Sequence, residues 1–245
     1  KNLKIVPWDL EAIYYHYLPI GIQPDAPPIR GDLGVANVTW AALSIADKID
    51  TVVGLFGVGE KPTGSRDPLG IRRQAHGMLR VLTDLPELVG LDSRISIGSV
   101  RRLARSVHRD LFDGAEERET VFFLDRLRYL LEERGFDVRN VRAVTHGDID
   151  ELRPLDALRK LKVLPEFTDT PDFQRLATLF KRVKNIAREL STAELHEAER
   201  LDPQLTALLS EPAERSLLDE LNTRRAVIET AVSSGQGFRE AFADA

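Results

Sequence analysis

Apolar residues recur at helical spacing along most of the chain. Val38, Ala42, Ile45, Ile49, Val52 and Phe56 step by four and three, which is one helix face, with Asp47, Asp50 and Gly54 opposite. Ile71, Ala75, Met78, Leu79 and Leu82 form a second stripe. "SVRRLARSVHRDLF" predicts a third helix, with Leu103, Val107 and Leu111 inward. "TVFFLDRLRYLLEERG" is a fourth, with Gly135 as its C-terminal stop. "DVRNVRAVTHG" and "DIDELRPLDALRKLKVL" read as helical. In "TPDFQRLATLFKRVKNIARELS", Leu176, Leu179, Val183, Ile186 and Leu190 share one face, and Lys181, Lys184 and Arg188 share another. The last segment predicts two or three helices broken near Pro212 and Gly235. At the start, "VPWDLEAIYYHYLP" predicts a short helix with Asp9 as N-cap, ended by Pro19, and "IGIQPDAPPIRGDLG" holds too many Pro and Gly for a regular element. There is no alternating strand pattern and no repeat. The expectation is an all-α fold of two helical bundles in tandem, divided at the acidic "DGAEERE" between residues 113 and 117.

The loop "GEKPTGSRDP" joins the first two stripes. Asp67 is expected to cap the following helix with Pro68 in its first position. Asp47 and Asp50 are three apart on a helix, and like charges at that spacing cost about 0.2–0.5 kcal/mol unless a cation offsets them. Arg72 and Arg73, just past the loop, are the candidate partners, so the loop reads as a hinge that turns two arginines onto two aspartates.

Composition narrows the chemistry. The chain has 245 residues, 30% of them charged and 7% aromatic, and a net charge of -5. That balance is not the footprint of a general nucleic-acid binder, so RNA contact has to come from local basic patches. Zero cysteines excludes disulfides, thiolate zinc sites and thiol nucleophiles. No apolar run approaches the roughly 20 residues of a membrane span. The five histidines are scattered without a His-Asp pair, so no complete metal set and no catalytic residue is expected. The basic stripes "RPLDALRK" (Arg153, Arg159, Lys160) and "KRVKNIAR" (Lys181, Arg182, Lys184, Arg188) are phosphate-binding candidates, with a solvated helix face as the plainer reading. The burial of Val183 and Ile186 expected from the stripe also leaves an inward, structural place open for Arg182.

The run "ALSIADKIDTVVGLFGVGEKPTGSRDPLGIRRQAHGMLRVL" resembles the beta subunit of bacterial glycyl-tRNA synthetase. "EAIYYHYLP" and "LFKRVKNI" are similar to further segments of that family, in the same order. Gly70, Gln74 and Phe180 depart from the family's usual residues. The resemblance implies a rear part of an HD-like helical domain over residues 1–113 and a C-terminally truncated anticodon-binding helical domain over 117–245. It implies recognition of glycine tRNA in a cytoplasmic bacterial ligase. ATP and Mg2+ would be used on an alpha subunit or fused alpha region, and no cofactor would be bound here. Neither membrane nor DNA is an expected partner. Asp47 matches the last metal-binding aspartate of HD phosphohydrolases, but the accompanying His and His-Asp partners are not in this chain. An HD-type phosphohydrolase and a non-catalytic helical scaffold are the alternatives.

Overall fold

The computed structural model describes residues 7–60, 62, 67, 69–108, 116–186, 188 and 209–244, and no strand occurs among them. The fold is all-α. The helices are α1 (Pro7–Tyr15), α2 (Arg30–Leu33), α3 (Asn37–Gly57), α4 (Ile71–Thr83), α5 (Leu85–Val89), α6 (Ile97–Val107), α7 (Glu116–Glu133), α8 (Val138–Val144), α9 (Pro154–Val163), α10 (Pro165–Thr168), α11 (Pro171–Ile186), α12 (Pro212–Ser234) and α13 (Phe238–Asp244). Two compact units divide at Leu161 and Lys162. The expected division at residues 113–117 does not separate them, because α7 packs on α4 within the first unit. Glu119 is the reason: it lies fully buried, not in a solvated linker.

In the first unit α3 and α4 form the central pair. Lys48 lies against Gly77, and Phe56 shares a groove with Arg72, so the two helices run antiparallel. Ile71, Ala75, Met78, Leu79 and Leu82 are all buried, as their spacing predicts. The α3 stripe is rotated slightly from prediction. Ile45, Ile49, Val52 and Phe56 are buried, but Val38 and Ala42 are exposed, and Trp40, Ala41, Ser44 and Lys48 take the inward places.

Polar members of that stripe have work to do. The end of α1 and the loop after it present carbonyls with few local donors. Trp40 Nε1 donates to Tyr15 O at 2.9 Å, and Ser44 Oγ donates to Leu18 O at 2.8 Å. Lys48 Nζ donates to His16 O at 2.7 Å and Leu18 O at 3.2 Å. From α4, the Arg80 guanidinium reaches Gly21 O, Pro24 O, Ala26 O and Pro27 O at 2.5–3.4 Å. From the end of α7, Arg134 donates to Ile22 O and pairs with Asp84 at 2.7 Å. Three cations thus pin one Pro-rich loop. Gly77 permits the approach: an added Cβ would stand 2.5 Å from Pro19 O and 2.6 Å from Lys48 Cε. Asp9 lies inside α1, which starts at Pro7, so it is not the N-cap expected from the sequence.

The α6 expectation is overturned. Leu103 and Val107 are 70% and 72% exposed, whereas Ile97, Gly98, Arg101 and Ala104 are buried. Electrostatics set this rotation. Arg101 bonds Glu119 (3.1 Å), Asp150 (3.0 Å) and Thr120 (3.0 Å), and Arg105 also holds Glu119. A buried carboxylate needs such partners, so the arginine face of α6 turns inward. Leu111 lies outside the described residues.

Arg94 chelates Asp156 of α9 at 2.6–3.1 Å, and Arg159 meets Asp92 at 2.7 Å. Gly135, with φ 86°, ends the turn after α7 as its sequence position predicts. In the second unit the described core is the small cluster Ala231, Phe238 and Ala241 beside Phe242.

Two substitutions test this arrangement. Arg80→Ala should cost about 3–5 kcal/mol, because it removes a fully buried side chain that donates to four loop carbonyls and takes away one of the two guanidiniums at Asp84. Gly77→Ala should cost about 1–3 kcal/mol through overpacking. Urea denaturation measures both, and limited proteolysis should show cleavage within residues 18–29 rising in each variant.

Candidate nucleic-acid interface

The loop before α4 uses Asp67 differently from expectation. The N-cap position belongs to Gly70, at φ 69°, and the helix starts at Ile71. Asp67 still supplies the capping carboxylate. It accepts from the backbone N–H of Arg72 (3.2 Å) and of Arg73 (3.4 Å), and it faces the Arg73 side chain at 3.8 Å. These are two of the orphan donors of the first turn. Pro68, expected in the first helical position, lies outside the described residues.

The expected meeting of Asp47 and Asp50 with Arg72 and Arg73 is replaced by other pairings. Asp50 takes His108 Nε2 at 2.7 Å. Asp47 and Asp50 line an apolar groove between α3 and α6, whereas Arg72 lines a different groove against α7. The reason is angular: Lys48 occupies the α3 face that meets Gly77 of α4, and Asp47 and Asp50 lie on the side toward α6. Among the described residues no group of three His, Asp or Glu side chains is placed to hold a metal ion. The donors present therefore do not fit an HD-type metal centre.

The basic candidates fall into two environments. Arg153, Arg159 and Lys160 belong to the first unit, and Arg159 is committed to Asp92. Lys160 is half-buried, and desolvation lowers its pKa, opposed by Asp156 and assisted by Arg94 and Arg153. Lys181, Arg182, Lys184 and Arg188 belong to the second unit and are all exposed. Arg182 therefore does not take the inward place left open for it. Arg188 donates to Asn185 at 3.3 Å. Leu176, Leu179 and Val183, expected to be buried, are 42%, 56% and 53% exposed, because no described helix is laid along that stripe. The Ile186 side chain and Leu190 lie outside the described residues.

A sequence model of the family described as glycyl-tRNA synthetase beta subunit matches residues 10–146, more than half of the chain. The chain belongs to that family. Relatives named glycine–tRNA ligase beta subunit are similar over much of this chain. That of Desulforamulus reducens is 31% identical over 226 residues, 86% of this chain and 30% of the relative. That of Anaeromyxobacter dehalogenans is 36% identical over 213 residues, 86% and 28% respectively. That of Pseudomonas putida is 34% identical over 196 residues, 79% and 26%. The chain spans under a third of the length of these relatives. In this family member the match of residues 10–146 covers α3, the loop, α4 and α7, while α11 lies beyond it.

Spacing alone did not single out the cationic neighbourhood of His76. Its ring stacks on Tyr129 at 5.1 Å, and Arg126 approaches the same ring at 5.5 Å. Burial pushes the His76 pKa down to about 4 from 6.5; Arg126 and Arg72 add to the effect and Asp67 opposes it. A signal was present in Arg118, Phe122 and Arg126, four apart along α7.

His76 makes stability pH-dependent. The unfolded chain takes up a proton below pH 6.5 that the folded chain refuses until about 4. Stability is therefore full above pH 6.5 and falls on acidification through that window, by on the order of 3 kcal/mol. Urea midpoints at neutral pH and between 6.5 and 4 should show this slope, and His76→Gln should flatten it.

Proposed function

We propose that the chain is a tRNA-recognising part of a glycyl-tRNA synthetase beta subunit, supporting ATP-dependent attachment of glycine to its tRNA. It carries no catalytic residue of its own in this reading; the aminoacylation site and its use of ATP and Mg2+ belong to an alpha subunit or fused alpha region. In this reading family likeness assigns residues 1–113 to the rear of an HD-like domain and residues from 117 onward to an anticodon-binding domain, in a cytoplasmic enzyme, a division that differs from the boundary of the compact units at Leu161.

The observation that carries this reading is the set of exposed cations on and after α11. On a chain of net charge -5, several arginines of the first unit are consumed by internal pairs, as Arg94, Arg101, Arg105, Arg134 and Arg159 are. Lys181, Arg182, Lys184 and Arg188 instead face solvent. A phosphate backbone is read by such point charges, independently of base identity. Arg153 and Lys160 are second choices. Arg159 is a weaker one, since releasing it from Asp92 would cost its ion pair.

Gel shifts of the chain with glycine tRNA test this directly. Lys181→Ala combined with Lys184→Ala should weaken binding and lower the slope of log affinity against log salt by about one for each lost contact. Unchanged, equally salt-dependent binding would remove the patch from the reading. The melting temperature should not move, because both side chains are exposed.

A further inference from the structure

α7 carries Arg118, Phe122 and Arg126 at intervals of four, so one stripe alternates cation, ring, cation. Phe56 from the end of α3 and Arg72 from the first turn of α4 face it across a groove of about 530 Å³. That is within the range of roughly 300–1,000 Å³ typical of small-molecule sites. Pro62, from the turn-rich loop, lines the same groove, and Glu117 and Asp125 also border it.

The groove is not chemically at rest. Arg126 sits 6.0 Å over the Phe122 ring, and its Nε is buried with no hydrogen-bond partner. Behind it, His76 Nε2 is likewise buried without a partner. Burial and the nearby Arg72 both disfavour the Arg126 charge, and Asp125 and Asp67 oppose them. An anion beside Arg126 would relieve this arrangement. Phe56 and Phe122, with centroids 5.1 Å apart, give the floor an aromatic character that a bare inorganic anion does not use. The two carboxylates would repel an acidic peptide, yet they accept hydrogen bonds from amino and hydroxyl groups.

We propose that this groove binds a nucleotide, with its phosphate between Arg118 and Arg126, its base against Phe122, and its amino or ribose hydroxyl groups toward Glu117 and Asp125. The nucleotide is either free or one unstacked unit of an RNA strand, and the chemistry of recognition is the same in both cases. The site is made wholly by the first unit and does not rest on the reading of α11.

Calorimetric titration of the full chain with AMP and CMP, and separately with a single-stranded ribotetranucleotide, tests the proposal. Binding of the monophosphates identifies a free-nucleotide site, and binding of the tetranucleotide alone identifies an RNA-strand site. In either case Arg126→Ala should weaken the interaction about tenfold or more, and Arg118→Ala about threefold or more, since charge-assisted phosphate contacts are the strong ones. Arg118 is exposed, so its variant should keep the parent melting temperature and give a valid result even if Arg126→Ala folds poorly. The Lys181→Ala, Lys184→Ala double variant should bind monophosphates as the parent does. The proposal is overturned if neither probe binds below about 1 mM. It is equally overturned if inorganic phosphate competes as well as AMP, if Arg118→Ala binds like the parent, or if the α11 variant is the one that loses monophosphate binding.

Discussion

The Pro-rich segment between α1 and α2 is the constraint on which the first unit depends. Pro19, Pro24, Pro27 and Pro28 have no backbone N–H, so the segment carries an excess of acceptors. Packed against α3 and α4, those carbonyls cannot all be left to water. Lys48 from α3, Arg80 from α4 and Arg134 from the turn just after α7 supply the missing donors. Arginine suits the task because its planar group carries five donors in a fixed fork. Lys48 shows the cost: burial lowers its pKa to about 8, with Asp47 opposing the shift. Asp84 receives Arg134 at 2.7 Å and stands 3.6 Å from Arg80, so the two guanidiniums share one carboxylate.

A second ionic junction completes the unit. Glu119 lies between Arg101 and Arg105, and Arg101 continues to Asp150. The backbone follows the same path: Ile97 N–H donates to Leu152 O at 2.9 Å, and Gly98 lies so close to Asp150 that an added Cβ would stand 2.4 Å from its Cα. These contacts carry the first unit through the acidic segment to the start of α9. Removing one member of such a buried network leaves the others desolvated and unpaired, which is why the junction specifies helix rotation more firmly than apolar pattern does.

The same arithmetic separates paired from exposed cations. Charge clusters in the sequence look alike, yet Arg94, Arg101, Arg134 and Arg159 are held by acids of their own unit, while the α11 group is exposed. Arg126 stands between these classes. It has aromatic neighbours and a buried, unpartnered nitrogen within a groove.

The sequence by itself determined the helical class, the α3–loop–α4 order, the α4 core stripe, the stop at Gly135 and the capping value of Asp67. Each follows from local physics: helical periodicity, positive-φ tolerance of glycine, and orphan N–H groups at a helix start. The family was legible as well, because a long ordered string of residues is specific where a short motif is not. Tertiary structure alone decided the rotations. Leu103 and Val107 face solvent because Arg101 must reach Glu119, and Asp50 meets His108 because Lys48 claims the inward face of α3. It also decided the division of the units, by burying Glu119 from a segment whose composition reads as a linker. Periodicity scores a charged residue as outward. A charge that satisfies carbonyls or carboxylates distant in sequence violates that rule, and its partners cannot be found until the chain is folded.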